Sequence, residues 1–223
     1  MLKHLHLADL VSLLNISFGF LAILAILAGE QYLALGLLFF AIFADGLDGI
    51  IARKTTSGPL GSYLEAMGDM TSLSISPLLF FYFSFQDQLS DYLLYIALLL
   101  YLITSVIRLS SFHILKQPDS FIGLPVSVSA ITILLLSIIN FPAYYSLFIF
   151  CLLSIAMISP IRFPKNTMMV NLIAVFLLLL MLLTITYSQI PAYLLLIALA
   201  GYCIFGPLKC HFSTTKKQSI TSK

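Results

Sequence analysis

The stretch FADGLDGIIARKTTSGPLGSYLEAMGDM, residues 43–70, contains four carboxylates in a chain that is otherwise strongly apolar. They are Asp45, Asp48, Glu65 and Asp69, and the whole protein has only nine acidic residues. An ionisable side chain inside a membrane segment costs several kcal/mol, so it usually faces a wet cavity, a partner or a metal ion. Acids that cluster in such a segment favour a metal site.

The composition of the whole chain indicates an integral membrane protein. The sequence is 61% hydrophobic and 9% charged, with a mean hydropathy of +1.07, which is more apolar surface than a soluble domain of 223 residues can bury. The net charge is only +2 and the basic residues are spread out, which argues against nucleic acid as a partner. Cys151, Cys203 and Cys210 lack paired spacing and are predicted to be reduced thiols.

The apolar segments predict an all-α bundle of about eight transmembrane helices, because a helix needs ~20 residues to cross the hydrocarbon core. Seven or nine spans are the alternatives. We treat residues 1–205 as a single membrane-embedded domain and residues 206–223 as a short basic cytoplasmic tail, disordered from residue 213. The predicted spans are Leu10 to Ala28, Tyr32 to Ala52, Leu60 to Phe85, Tyr92 to Phe112, Ile122 to Ile139, Tyr144 to Ile158, Met168 to Tyr187 and Tyr193 to Phe205.

The distribution of charge supports an even number of spans with both termini in the cytoplasm. With the N-terminus inside, every Lys and Arg falls on the cytoplasmic side, as the positive-inside rule expects. The opposite loops carry Glu30, Asp87 and Asp91 and no basic residue. The four clustered acids lie near the cytoplasmic ends of the second and third spans. A multi-pass protein of the cell membrane with its site open to the cytoplasm is therefore expected.

The spacing of the acids places them at one site. Asp45 and Asp48 are three residues apart on the second span, and Glu65 and Asp69 are four apart on the third, so each pair shares a helix face. The short Gly-Pro turn between the spans makes them antiparallel neighbours. Carboxylate oxygens that converge at one place are suitable ligands for Mg²⁺, Mn²⁺ or Ca²⁺. Divalent ions held in this way support chemistry on phosphates.

Residues 45–53 and 61–69 carry a motif that resembles the signature of the CDP-alcohol phosphatidyltransferase family. That signature is D-x2-D-G-x2-A-R-x8-G-x3-D-x3-D, and this chain has DGLDGIIAR followed by GSYLEAMGD. There are two departures. Glu65 stands where the family has Asp, and seven residues rather than eight separate Arg53 from Gly61. Glu remains an oxygen ligand with one extra methylene, and the shorter turn can compensate for its longer reach.

Four further segments resemble the phosphatidylserine synthase group of this family. They are DLVSLLNISFGFLAI at residues 9–23, DMTSLSISP at 69–77, RLSSF at 108–112 and FIGLP at 121–125. The resemblance implies transfer of a phosphatidyl-type group, on diacylglycerol or archaeol, from a CDP-lipid to the hydroxyl of L-serine with release of CMP. It also implies a homodimer.

The resemblance assigns roles to the clustered acids. Asp45, Asp48 and Glu65 are expected to hold one or two Mg²⁺ or Mn²⁺ ions. Asp69 is expected to be a fourth ligand and the general base that takes the proton of the serine hydroxyl. Asn15 is open to two interpretations, a contact to the nucleotide or helix packing.

The same resemblance places the CDP group on a set of residues next to the acids. The predicted CDP-binding residues are Asp48, Gly49, Ala52, Arg53 and Gly61. A cation opposite the diphosphate is physically sensible there. The carboxylate of serine also needs a cation, and Arg108, at the cytoplasmic end of the fourth predicted span, is the candidate from the charge distribution.

Other functions remain open from the sequence. Within the family, glycerol 3-phosphate or inositol phosphate is the alternative acceptor, although a phosphorylated acceptor should demand more basic residues near the site. An inactive homologue with a structural role is a second alternative. A transporter would tend to show repeats or broken helices in corresponding halves, and this sequence shows no repeat.

Overall fold

The computed structural model describes residues 6–54, 60–111, 120–164, 168–184 and 187–221. This part of the chain is almost entirely helical, as predicted. A π-helical segment, Met70–Ile75, joins two of the α-helices, so that residues 61–85 form one continuous helical segment. The α-helices are α1 (Leu7–Leu27), α2 (Gln31–Lys54), α3 (Gly61–Asp69), α4 (Ser76–Phe85), α5 (Asp91–Ser111), α6 (Val126–Ile138), α7 (Ala143–Ile158), α8 (Met168–Thr184) and α9 (Ile190–Thr221).

Several of these helices have the length and composition of membrane spans. Within the described ranges, three are long and apolar enough to cross a bilayer, over Asp9–Leu27, Asp91–Ser111 and Ile190–Cys210. At most 33% of the residues in their most apolar stretches are buried, so most of their apolar surface faces outward. Such a surface is stable in lipid and costly in water. The chain is therefore an all-α membrane protein.

Of the five remaining predicted spans, the third coincides with the continuous helical segment of residues 61–85, and the other four fall on shorter apolar helices. Those of 10–17 residues within the described part are Gln31–Gly46, Val126–Ile138, Ala143–Ile158 and Val175–Thr184. Each predicted span thus coincides with a helical segment. That all eight cross the membrane, with both termini in the cytoplasm, stays a prediction.

The structure corrects two boundaries. The predicted span from Ile122 begins too early, because Gly123 has a φ of +78° and Pro125 is extended, so α6 starts only at Val126. The predicted disorder from residue 213 is wrong as well, since α9 continues to Thr221. Pro207 lies inside this helix, where it removes one backbone donor without ending the helical run.

A two-stranded antiparallel ribbon, which the sequence did not predict, connects the loops after α5 and α7. Strand β1 (Ser120–Ile122) pairs with β2 (Arg162–Pro164), with Phe121 opposite Phe163. The Gly123 amide donates to the Ile161 carbonyl at 2.7 Å. Gly123 also packs so tightly that an added β-carbon would collide with the carbonyl oxygen of Met157. The ribbon is thus fixed by pairing across the chain rather than by local sequence.

An aromatic core lies between the continuous helical segment, α5 and α7. The rings of Phe81 and Phe150 stack with their centroids 4.5 Å apart, and the Tyr101 ring lies 4.9 Å from Phe150. The buried Tyr101 hydroxyl donates to the Leu73 carbonyl of the π-helical segment at 3.2 Å. This hydrogen bond ties the segment that follows Asp69 to α5.

Helix α1 packs closely on the same segment from the other side. A β-carbon on Gly19 would lie only 3.0 Å from the Cα of Ser72, so the two backbones approach as closely as glycine permits. The Ser76 hydroxyl is a donor within 3.1 Å of the Gly19 carbonyl and 2.7 Å of the Thr71 carbonyl. Small residues and one hydroxyl therefore fix α1 beside the helix that carries Glu65 and Asp69.

Candidate active site

The structure brings a predicted acid of α2 within reach of a predicted acid of α3. Asp45 lies near the cytoplasmic end predicted for α2, and its side chain is within hydrogen-bonding reach of Asp69 and in the electrostatic field of Glu65. Glu65 and Asp69 are one helical turn apart on α3. The contact between the faces of α2 and α3 follows from the short connection that the sequence predicted.

The side chain of the fourth acid, Asp48, lies outside the described part of the structure. Its backbone belongs to α2, together with those of Gly49, Ala52 and Arg53, whose side-chain environments are likewise outside the described residues. The predicted CDP-binding residue that the structure does describe is Gly61, the first residue of α3.

The three described carboxylates supply a donor set that fits a hard divalent cation. Neighbouring carboxylates repel one another, and a proton or a cation between them relieves that repulsion. All donors are oxygens, the ligands that Mg²⁺ and Mn²⁺ prefer. The described side chains alone form no ready cluster of three metal ligands. The oxygen donors are thus of the type that binds a divalent ion, but the described residues do not form a metal site by themselves, and Asp48 remains the predicted additional ligand.

Asn15 of α1 contacts the predicted general base directly. Its Nδ2 donates to Oδ1 of Asp69 at 3.3 Å, and the Asn15 side chain is completely buried. A β-carbon on Gly68 would lie 2.9 Å from this Nδ2, so the contact depends on the glycine. Of the two interpretations that the sequence left open, the described geometry supports helix packing with a specific polar partner, and a contact to the nucleotide stays a prediction.

Asp9 is a buried acid near the site that the sequence analysis did not propose as functional. It is completely buried, and its Oδ2 accepts the backbone N–H of His6 at 2.8 Å in the first turn of α1. Among the described residues its Oδ1 has no hydrogen-bond partner, and it would lie 3.1 Å from a β-carbon on Gly61. The sequence signal for Asp9 was an acid at the start of a long apolar run. Its role in capping the N-terminus of α1 is visible only in the structure.

Arg108, the predicted acceptor-binding residue, is a buried side chain rather than a loop cation. It is only 6% exposed, and its Nε donates to the Leu124 carbonyl at 3.3 Å. Tyr202 of α9 lies in its electrostatic neighbourhood and donates its hydroxyl hydrogen to the Pro164 carbonyl at 2.9 Å. Helix α5, which carries Arg108, packs against the π-helical segment and contacts α3, the helix of Glu65 and Asp69.

Comparison with known proteins agrees with the geometry. The CDP-alcohol phosphatidyltransferase family matches residues 5–204. The archaetidylserine synthase of Methanothermobacter thermautotrophicus is 34% identical over 167 residues, which cover 71% of this chain and 70% of that protein. The CDP-diacylglycerol–serine O-phosphatidyltransferase of Methanocaldococcus jannaschii is 31% identical over 211 residues, or 93% of this chain and 95% of that protein.

A bacterial relative is similar over almost the same length. The CDP-diacylglycerol–serine O-phosphatidyltransferase of Helicobacter pylori strain J99 is 26% identical over 212 residues, which cover 88% of this chain and 89% of that protein. The match of the family extends from α1 into the first half of α9 and includes both segments of the acidic motif. This chain therefore belongs to the CDP-alcohol phosphatidyltransferase family.

Proposed function

We propose that the protein transfers a phosphatidyl-type group from a CDP-lipid to the hydroxyl of L-serine and releases CMP. The observation that carries this proposal is the similarity to two archaeal relatives named for serine as acceptor, at 31–34% identity over 71–93% of the chain. The contact of Asp45 with Asp69 supports a site at these acids. The lipid portion is diacylglycerol or archaeol, since the relatives are named for both.

The four acids bind metal ions in this proposal, and Asp69 also accepts a proton. Asp45, Asp48, Glu65 and Asp69 would hold one or two Mg²⁺ or Mn²⁺ ions. A bound divalent ion would supply positive charge that neutralises the diphosphate and the departing CMP. The contact between Asp45 and Asp69, with Glu65 in electrostatic range of Asp45, supports this assignment.

Asp69 acts as the general base in the proposed reaction. Its carboxylate takes the proton of the serine hydroxyl while the hydroxyl oxygen bonds to the lipid-linked phosphorus. The bond between that phosphorus and the bridging oxygen of the diphosphate breaks, and CMP leaves with the oxygen. The products are the serine phospholipid and CMP, with the proton held on Asp69.

The substrates are bound by groups on either side of the acids. Asp48, Gly49, Ala52, Arg53 and Gly61 form the CDP pocket of the proposal. In this proposal Arg53 supplies the cation that binds the diphosphate. Arg108 binds the carboxylate of serine, and its anchoring on the Leu124 carbonyl would give its guanidinium a fixed orientation.

The proposal includes the orientation and assembly of the protein. Eight spans with both termini inside put the site at the cytoplasmic face, where CDP-lipid headgroups and serine are accessible. We also propose that the protein forms a homodimer, as the family resemblance implies.

The test measures CMP release by the purified protein in lipid or detergent. CDP-archaeol or CDP-diacylglycerol is supplied with Mg²⁺ or Mn²⁺, and serine, glycerol 3-phosphate and inositol phosphate are offered in parallel. We expect metal-dependent release with serine alone and none after chelation. Release only with a phosphorylated acceptor would overturn the serine assignment. No release with any acceptor would favour an inactive homologue or a different acceptor.

A further inference from the structure

The contact between Asn15 and Asp69 crosses from α1 to α3 and ends on the proposed general base. Asn15 is completely buried, and its described hydrogen bond is the 3.3 Å donation to Oδ1 of Asp69. The Oδ1 of Asn15 has no hydrogen-bond partner in the described structure. An asparagine that served only to join two helices would be expected to satisfy both ends of its amide, because a buried polar atom without a partner costs about 1–3 kcal/mol.

The chemistry of the two side chains fixes the direction of this hydrogen bond. An ionised carboxylate can only accept hydrogen bonds, so the amide of Asn15 must present its NH₂ group to Asp69. Donation to a charged oxygen is stronger than a neutral hydrogen bond and has a preferred geometry. The contact therefore limits rotation of the Asp69 carboxylate.

The surrounding backbone is shaped to allow this contact. The nearest atom to a β-carbon built on Gly68 is Nδ2 of Asn15, at 2.9 Å. The next atoms are Cγ of Asn15 at 3.4 Å and Cγ1 of Ile16 at 3.5 Å. Because Gly68 has no side chain, it leaves the space that the Asn15 amide occupies. Without that amide, a β-carbon at position 68 would make only ordinary van der Waals contacts.

The position of α1 relative to Asp69 is held by further contacts one and two turns away. Gly19 packs against the backbone of Ser72, and the Ser76 hydroxyl lies at 3.1 Å from the Gly19 carbonyl. The π-helical segment Met70–Ile75 begins immediately after Asp69, and such segments are often found at functional sites. The amide of Asn15 is therefore presented from a fixed helix.

We propose that Asn15 is a positioning residue for Asp69, and that Gly68 is required because it makes room for the Asn15 amide. Asn15 holds Oδ1 and thereby sets the plane of the carboxylate that receives the serine proton. This inference rests on the proposed function, in which Asp69 is the general base. Asn15 itself touches neither substrate in this proposal.

A double-mutant cycle on turnover tests the inference. Asn15→Ala and Gly68→Ala are each expected to lower kcat about 10- to 100-fold, because a misplacement of about 1 Å can cost that much. KM for serine and for the CDP-lipid should change less than about twofold, since the loss concerns the transition state. The double variant should retain kcat within about threefold of Asn15→Ala, because the amide that the new β-carbon at position 68 would meet is already gone.

The control is Gly201→Ala on α9, where an added β-carbon meets no atom within 4 Å. It should keep the kcat and both KM values of the unmodified protein. Thermal unfolding and CDP-lipid binding are measured for every variant, so that a folding defect in Asn15→Ala is recognised. In that case Gly68→Ala alone decides the question.

Three results would overturn the inference. They are an unchanged kcat in Gly68→Ala, losses in the double variant that multiply, and a loss confined to KM. If Asp69→Asn is inactive while Asn15→Ala turns over normally, the positioning role fails and the proposed function stands. If the unmodified protein uses another acceptor, the serine assignment fails, and the same cycle is measured with that acceptor.

Discussion

At the scale of single residues, Asp69 is connected to side chains on two other helices. It accepts a hydrogen bond from Asn15 on α1 and lies within reach of Asp45 on α2. Sequence spacing predicted the approach of Asp45, because short-linked antiparallel helices with acids at their adjoining ends must bring them together. Spacing could not predict Asn15, since nothing local relates α1 to α3.

Asp69→Asn is expected to abolish transfer while the protein stays folded. Asn has the same shape, and its oxygen still accepts the amide hydrogen of Asn15, but it cannot take up the serine proton. General-base catalysis contributes about 10²- to 10⁴-fold, so CMP release should fall by at least about 10². CMP release, CDP-lipid binding and thermal unfolding are measured together. Near-normal turnover would show that Asp69 is not the base.

Glu65→Asp is expected to remain active, with a changed ratio of Mg²⁺- to Mn²⁺-supported rates. The substitution restores the family residue and keeps a carboxylate, but it withdraws the oxygen ligands by one methylene. Glu65→Gln is the matched control of unchanged length, and it should lose activity because it removes the charge. Complete inactivity of Glu65→Asp would mean that the shorter turn before Gly61 requires the longer side chain.

At the scale of secondary-structure elements, helices were predictable and their irregular parts were not. Long apolar runs specify helices locally, since every backbone group is satisfied within the segment. The π-helical segment and the β1–β2 ribbon depend on partners far along the chain, such as Tyr101 for Leu73 and Ile161 for Gly123. A sequence pattern carries no direct signal for such partners.

Gly123→Ala is expected to destabilise the protein more than Gly29→Ala. Both glycines have left-handed backbones, with φ of +78° and +80°, so each Ala costs about 1–2 kcal/mol of strain. Only at Gly123 does the new β-carbon also meet a backbone atom, the carbonyl oxygen of Met157, whereas Gly29 has open space around it. The difference in thermal unfolding temperature compares strain plus collision at Gly123 with strain at Gly29.

The variants Gly123→Ala and Gly29→Ala should also differ in their KM for serine. Gly123 precedes Leu124, whose carbonyl accepts the hydrogen bond from Arg108. Gly123→Ala should therefore also raise KM for serine, while Gly29→Ala should leave it unchanged. Equal unfolding temperatures for the two variants would contradict the tight packing of the ribbon on α7.

At the scale of the whole molecule, the charge distribution predicts the orientation in the membrane. All eleven Lys and Arg residues fall on one side of the eight-span arrangement. Gln88, between α4 and α5, and Ile161, between α7 and α8, lie in connections that the arrangement puts on opposite sides. Gln88 is exposed, and Ile161 is 46% exposed, so both positions can be labelled.

Cysteine labelling in intact cells tests this orientation. Cys151, Cys203 and Cys210 are replaced first, since no disulfide joins them. In that background Gln88→Cys should react with a membrane-impermeant maleimide from outside. Ile161→Cys should react only after permeabilisation. The reverse pattern would invert the topology, and labelling of both from outside would contradict the span count.

The sequence by itself determined the class of protein, the eight apolar helical segments, the family and the meeting of acids from α2 and α3. These properties depend on composition, on the period of the helix and on the length of one short turn, all of which are local. The tertiary structure alone decided that Asn15 contacts Asp69, that Arg108 is buried against Leu124, and that a ribbon joins two distant loops. Each of these contacts joins residues far apart in the chain, and only the packing of the folded helices sets such distances.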